Sequence, residues 1–202
     1  MIRKRQAGRM LSAAAAALAT VLLVAGCSED PLAEQYKEGS SKGYIAGDGS
    51  VMEIAESDRG EPVEFAGTTE SGDEISSSDL VGDVVVVNFW YASCAPCRAE
   101  APILDEVYQS FGDDGVAFVG VNLRDQPGTA ESFNKTYDIG YSSIIDVNTG
   151  SVKLAFADTV PPNSVPTTIV LDKKGRVSAR ILGAVPDTSI LSTLVEDAVA
   201  EK

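Results

Sequence analysis

The stretch "VVVVNFWYASCAPCRAEAPILDEVYQSFG", residues 84–112, has the strongest structural pattern in the chain. It opens with four valines, and such a continuous β-branched run is typical of a strand buried on both faces. Beyond the two cysteines, apolar residues recur at helical spacing until Gly112, which is a common helix stop. The stretch therefore predicts a buried strand followed directly by a helix, with both cysteines at the junction.

Cys94 and Cys97 differ in where they fall on the predicted helix. A helix N-terminus carries about half a positive charge and unpaired N–H groups, which favour a thiolate. We expect Cys94 to be exposed at this start and Cys97 to be shielded one turn further in. Pro96 is tolerated between them because the first turn needs no N–H partner. This arrangement suits a reversible dithiol switch, in which Cys94 attacks a disulfide and Cys97 resolves the mixed disulfide.

The flanking sequence alternates between strand and helix patterns. Short strands are predicted within 62–67 and 73–80, a buried strand at 116–122, a helix at 129–137, a strand at 142–145, a short helix at 151–157, a hairpin of 167–171 with 176–182, and a last helix capped by Asp187. In the second hairpin arm, Ser178 and Arg180 alternate with apolar residues, so one face should be wet. The order predicts an α/β fold whose sheet is partly parallel and partly antiparallel, with helices on both faces.

The first 26 residues have the composition of a secretory signal peptide. They contain Arg3, Lys4, Arg5 and Arg9 but no acidic residue, followed by an alanine-rich apolar stretch and "VAGC". The apolar stretch is short for a membrane span of roughly 20 residues, which disfavours the alternative of an uncleaved anchor helix. We therefore expect a signal peptide at 1–26, a flexible tether at 27–60 and one domain at 61–202. Within the tether, the segment Val51 to Ala55 is a candidate for a short ordered piece.

The charge balance excludes one class of partner. The chain has 30 acidic and 16 basic residues, a formal charge of −14, and loss of the signal peptide would make it more acidic still. So acidic a protein will not bind nucleic acid non-specifically. Charge alone would also not hold it on an anionic membrane, so membrane attachment would need a lipid.

Other functions for the cysteine pair need groups that the sequence lacks. A structural zinc site usually takes four Cys or His ligands, and the chain has no His and only one further cysteine, Cys27. The lack of His also excludes Cys-His proteases and Ser-His-Asp hydrolases. A static staple stays open, and so does a non-enzymatic Cu(I)-binding lipoprotein that uses the same two thiols. A peroxidase of the peroxiredoxin type would need Thr where Tyr91 stands. No metal or prosthetic group is implied.

Two segments together resemble a known family. "NFWYASCAPCRAEAPILDE" and, later, "SVPTTIVLDKKGRV" are similar to thioredoxin-fold thiol-disulfide oxidoreductases, and more narrowly to the membrane-tethered TlpA/ResA group of bacteria. The likeness covers roughly residues 60–200. It implies a thioredoxin-like fold with an N-terminal β extension and a central insert, here residues 125–159. "VAGC" likewise resembles a bacterial lipobox, which implies that Cys27 carries lipid.

The resemblance also implies roles for particular residues. It makes Cys94–Cys97 the redox disulfide and Pro166 a cis proline beside it. Val165 and Thr167 flank Pro166, and these three residues would dock the partner chain. Trp90 and Tyr91 would line the site, with packing in the core as the open alternative for Trp90. Thioredoxin has a buried Asp where this chain has Asn88; in the TlpA/ResA group Asn is common there, and a Glu three residues after the second Cys, here Glu100, would handle protons.

The activity implied is exchange of disulfides with extracytoplasmic proteins. The resemblance favours a reductant, for example of apocytochrome c during cytochrome c maturation, supplied with electrons by a membrane-embedded donor. The expected location is the extracytoplasmic face of the plasma membrane, through lipid on Cys27. The residues themselves do not give the direction of electron flow.

Overall fold

A computed structural model describes residues 50–112, 115–161 and 164–201. The predicted signal peptide, Cys27 and most of the predicted tether lie outside the described residues. In the part of the chain that is described, none of the helices has the length and apolar character needed to span a bilayer.

Eight strands and four α-helices follow one another in these residues. The strands are β1 (Val51–Glu53), β2 (Ala66–Thr68), β3 (Glu74–Ser76), β4 (Val84–Trp90), β5 (Val116–Asn122), β6 (Ser143–Ile145), β7 (Thr167–Leu171) and β8 (Val177–Leu182). The helices are α1 (Ala95–Phe111), α2 (Pro127–Tyr137), α3 (Ser151–Ala155) and α4 (Thr188–Ala200). Short 3-10 turns lie at Glu56–Asp58 and Ser77–Leu80.

The main sheet has six strands in the order β1-β8-β7-β4-β5-β6. β4, β5 and β6 are parallel, while β7, β8 and β1 join antiparallel. This confirms the predicted mixed α/β sheet. Phe89 pairs with Thr167, so the carboxyl end of β4 and the start of β7 lie together. We call this side, from which the chain runs into Cys94, the cysteine end of the sheet.

Both faces of the sheet are covered, which explains why β4 reads as an unbroken apolar run. Every residue of β4 is buried. On one face α1 and α4 pack on Val84 and Val86, with Leu104 and Leu191 among the contacts. On the other face the α3 region and Phe65 pack on alternate strand residues. The prediction of helices on both faces is thus confirmed.

The hairpin β2–β3 is the N-terminal β extension, and Glu70 in its turn joins it to the central insert. One carboxylate oxygen of Glu70 accepts a hydrogen bond from Asn134 Nδ2 at 2.9 Å, and the other accepts one from Ser143 N at 2.7 Å. Asn134 lies on α2 and Ser143 on β6. One side chain therefore holds the hairpin, the helix and the edge strand together.

The sheet begins about ten residues before the boundary that we predicted at residue 60. β1 pairs with β8, with Val51 opposite Ile181, and Leu182 N donates to Ser50 O at 2.7 Å. The pattern "VME" is too short for periodicity to identify it as a strand. Its pairing with β8 stabilises it in the folded chain. β1 starts opposite Ile181, at the cysteine end.

Two local expectations were wrong. β8 has no wet face: Ser178 is buried and donates to Val170 O, while the half-buried Arg180 donates to Thr159 O, because the segment after α3 packs against that strand. Helix α2 begins at Pro127, after Gln126, and not at Thr129, so its first turn holds no acidic residue. Proline at the first helical position is the stronger start because its missing N–H costs nothing there.

Candidate active site

Cys94 and Cys97 form a disulfide at the start of α1, with an Sγ–Sγ distance of 2.09 Å. Cys94 is the N-cap residue, and its Sγ accepts a hydrogen bond from Cys97 N at 3.2 Å. A backbone N–H of the first turn is therefore already directed at the sulfur of Cys94. When this sulfur is a thiolate, the same N–H group and the helix dipole stabilise its charge.

The expected exposure of Cys94 was wrong in the disulfide state. Cys94 is 3% exposed and Cys97 2%. Both sulfurs belong to an apolar cluster with Trp90, Ala130 and Phe133. Burial therefore does not distinguish the two cysteines here. Their difference comes from position, since Cys94 caps the helix and Cys97 lies one turn inside it.

Trp90 is buried in the same cluster as the cysteine pair and is not part of the exposed surface. It is 4% exposed, its ring centroid lies 4.3 Å from that of Phe133, and its Nε1 donates to Ser143 Oγ at 3.1 Å. The hydrogen bond between Trp90 and Ser143 requires glycine at position 120, because a Cβ there would lie 2.0 Å from Ser143 Oγ. Tyr91, by contrast, is half-buried.

Glu100 is a buried carboxyl on α1, 1% exposed. Its Oε1 accepts from Asn88 Nδ2 at 2.9 Å and its Oε2 from Val185 N at 2.8 Å. Burial raises the pKa of Glu100 to about 7, and the two hydrogen bonds only partly oppose this. The carboxyl therefore exchanges its proton near neutral pH.

Asn88 connects this carboxyl to the neighbourhood of Cys97. Asn88 and Cys97 line one small internal cavity of about 10 Å³, roughly the space for a single water molecule. Tyr141 also lines it, and burial raises the pKa of the Tyr141 phenol far above its usual range, so it stays protonated. Asn134 adds a buried Oδ1 that has no hydrogen-bond partner among the described residues. The cavity beside Cys97 therefore holds polar groups among apolar ones such as Leu104 and Ile139.

The segment before β7 lies at the same end of the sheet. The Val165–Pro166 peptide bond is cis, as the resemblance implied. Val165 packs against the cysteine cluster. Thr167 is fully buried, and its Oγ1 donates to Ser164 O at 2.9 Å, so its side chain fixes the loop.

The polar turn after β5 was not predicted from the sequence. Asn122 pairs with Trp90 across the sheet, and its Oδ1 accepts from the backbone N–H groups of Arg124 and Asp125. Asp125 Oδ2 in turn accepts from Ala92 N at 2.6 Å, two residues before Cys94. Asn122 at the end of a buried strand and Asp125 three residues later, in "VNLRD", were the available sign of this turn.

Three comparisons place this geometry among known proteins. A model of the AhpC/TSA family matches residues 60–180. A thiol-disulfide oxidoreductase ResA of Bacillus cereus is 31% identical over 142 residues, which cover 70% of this chain and 76% of that protein.

Solved structures agree with this assignment. A DsbF homologue from Corynebacterium diphtheriae is 33% identical with a TM-score of 0.66, over 76% of this chain and 96% of that one. A secreted thiol-disulfide isomerase from Corynebacterium glutamicum is 29% identical with a TM-score of 0.67, over 78% and 97%. With a cysteine pair at disulfide distance on a thioredoxin-like fold, the chain belongs to the AhpC/TSA family and is a thiol-disulfide oxidoreductase.

Proposed function

We propose that this protein reduces disulfides in extracytoplasmic proteins. The observation that carries disulfide exchange at this site is the capping of α1 by Cys94, whose sulfur receives the Cys97 N–H. This contact stabilises Cys94 as a thiolate, both as attacking group in the reduced enzyme and as leaving group from its own disulfide. The reducing direction is the one that the resemblance to the TlpA/ResA group favours.

The cycle balances over two exchange steps. The Cys94 thiolate attacks one sulfur of the substrate disulfide, forms a mixed disulfide and releases the first substrate thiolate. The Cys97 thiolate then attacks Cys94 Sγ, which forms the Cys94–Cys97 disulfide and releases the second substrate thiolate. Two electrons pass to the substrate, and the protons of the enzyme dithiol end on the substrate thiols. A dithiol on another protein then reduces the Cys94–Cys97 disulfide and is itself oxidised to a disulfide.

Glu100 takes the proton that Cys97 must lose before the second step. A shielded thiol resists ionisation, since burial disfavours the charged form. Glu100 has a pKa of about 7, suited to a base at neutral pH, and it lies three residues after Cys97 on α1, where side chains at i and i+3 are neighbours. Val165 and Tyr91, which are half-buried, border the face on which the partner chain docks, and Pro166 and Thr167 lie buried directly after Val165.

The reduction potential of the Cys94–Cys97 couple tests the direction of electron flow. We expect a value near that of thioredoxin, about −270 mV, as a reductase requires. Equilibration with a dithiol buffer of known potential, followed by thiol alkylation and mass measurement, gives the value. A potential near about −120 mV would instead make the protein an oxidant of its partners.

The partner is a protein thiol or disulfide outside the cytoplasm, apocytochrome c being one candidate, and the electron donor is membrane-embedded. The C. glutamicum relative is described as secreted, which supports an extracytoplasmic location. The Cu(I)-binding alternative has no specific support from the comparisons. It predicts stoichiometric Cu(I) binding without disulfide reduction, so a disulfide turnover assay separates the two.

We further propose that lipid on Cys27 holds the mature chain on the outer face of the plasma membrane. Replacing Cys27 with alanine is expected to release the protein from membranes or to leave it unprocessed, because the acyl chains supply the attachment. Membrane fractionation and the mass of the mature protein measure both outcomes. Unchanged mass and unchanged fractionation of the variant would contradict the lipid attachment.

A further inference from the structure

The surface around Cys94 carries two arginines. Ser93, Ala95 and Pro96 are exposed next to the buried Cys94, so a partner must approach over them. Arg98 on α1 and Arg124 in the turn after β5 are exposed beside them. They come from separate elements and converge on the same short segment.

Each guanidinium is held against the chain that leads into Cys94. Arg124 Cζ lies 4.1 Å from the ring centroid of Tyr91. Arg98 Nη1 lies 3.4 Å from Ala92 O, a long hydrogen bond. A guanidinium stacked on an aromatic ring keeps its N–H groups at the edge free to bind, so stacking orients Arg124 without consuming its donors.

The turn that carries Arg124 is itself fixed to the active-site segment. Asn122, which is fully buried, receives the Arg124 and Asp125 backbone N–H groups, and Asp125 binds Ala92 N. The Asp125 carboxylate is thereby directed inward, to Ala92 and Asn122, while the Arg124 side chain is directed outward. The position of Arg124 relative to Cys94 is therefore set by the fold.

The ion pairs of the described residues lie elsewhere. Arg59, Lys174 and Arg176 pair with Glu56, Asp172 and Glu201, at the end of β7 and β8 opposite the cysteines. Among the described residues neither Arg98 nor Arg124 has a carboxylate within ion-pair distance. Two uncompensated cations therefore border the reactive sulfur of a chain whose formal charge is −14.

The geometry points to a partner polypeptide that carries acidic side chains next to its reactive cysteine. Arg98 and Arg124 bind those carboxylates and orient the partner's disulfide over Cys94. This inference rests on the proposed function, since it names the partner class of the same site. The two arginines select among partner polypeptides and add no step to the disulfide exchange.

Three disulfide-linked peptides with one core sequence and Glu, Gln or Lys flanks test this. We expect kcat/KM to fall in the order Glu, Gln, Lys, with roughly a 5-fold difference between the first two from two exposed charge pairs. The order should flatten at about 1 M salt, where the screening length is about 3 Å. Arg98→Glu and Arg124→Glu should each lower the Glu-to-Lys ratio several-fold, and the double variant should invert it.

Lys174→Glu is the matched control. It changes the net charge by the same amount as Arg98→Glu or Arg124→Glu, but at the far end of the sheet. It should leave the Glu-to-Lys ratio unchanged, and the neutral pair Arg98→Gln with Arg124→Gln should bring the ratio close to one. Equal rates for the three peptides would overturn the inference. An equal loss of kcat/KM for all three peptides in Arg98→Glu would also overturn it. Arg98 would then act on the Cys94 thiolate and not on the charge of the partner. If the Gln peptide is not reduced at all, the proposed function fails first.

Discussion

Cys97→Ala is expected to leave this protein covalently joined to its partners as mixed disulfides, while Cys94→Ala should form none. The reason is the different position of the two sulfurs on α1. Cys94 caps the helix and receives the Cys97 N–H at 3.2 Å, so its thiolate attacks first. Without Cys97 nothing displaces the partner from Cys94. Turnover of a disulfide substrate should fall about 1000-fold or more in both variants, as is usual when a covalent nucleophile or its resolving partner is removed.

Non-reducing electrophoresis and mass measurement of trapped species check this. The double variant Cys94→Ala with Cys97→Ala is the control for non-specific adducts. Because both cysteines are almost equally buried as a disulfide, the trapping pattern depends on the helix start and not on exposure. Trapping by Cys94→Ala in place of Cys97→Ala would reverse the assignment of nucleophile and resolving cysteine.

Glu100→Gln is expected to change how stability depends on pH. Burial raises the pKa of Glu100 to about 7 in the folded chain, so between about pH 4.5 and 7 the folded state binds more protons here than the unfolded state. The free energy of unfolding contributed by this group therefore falls as pH rises through that window and is constant above it. The oxidised wild type should lose about 3 kcal/mol relative to the variant between pH 4.5 and 8.

Denaturant unfolding of the two oxidised proteins across this range gives the difference. If the variant loses hydrogen bonds to Asn88 or Val185, its free energy of unfolding is lower by an amount that does not vary with pH. Glu106→Gln, at an exposed carboxyl on the same helix, is the matched control. If the difference between wild type and Glu100→Gln is flat from pH 4.5 to 8, Glu100 does not titrate near neutrality.

The same variant should slow resolution of the mixed disulfide by roughly 10-fold or more, within the range of general acid–base effects. Single-turnover release of the second substrate thiol measures this step. A wild-type rate at every pH between about 6 and 9 would leave Glu100 with a structural role only. The stability profile and the rate are separate readouts, so burial and proton transfer can be judged independently.

Much of the fold could be predicted because its central elements have strong local patterns. The valine run of β4 and the helical spacing of α1 each determine an element without help from distant residues, and together they place Cys94 and Cys97. The hairpin of β7 and β8 and the cap at Asp187 are local in the same way. These features were predicted correctly for that reason.

What the sequence did not reveal depends on contacts between distant residues. β1 is three residues long and is a strand only because β8 pairs with it. Asp125 reaches Ala92 across 33 positions, and Glu70 reaches Ser143 across 73. The burial of Cys94 depends on Ala130 and Phe133 of α2, in the insert. No periodicity in a single segment records such contacts.

The position of β1 also bears on how the protein can be immobilised. Ser50 accepts the Leu182 N–H at the cysteine end of the sheet, and β1 is separated from β4 by three strand spacings, about 14 Å. An electrode or bead coupled just upstream of Ser50 would be connected to the molecule at the end where the cysteines lie. Coupling through the turn between β7 and β8 would place the sheet's length between the surface and the cysteines. Voltammetry on the two attachments should therefore give faster electron transfer for the first.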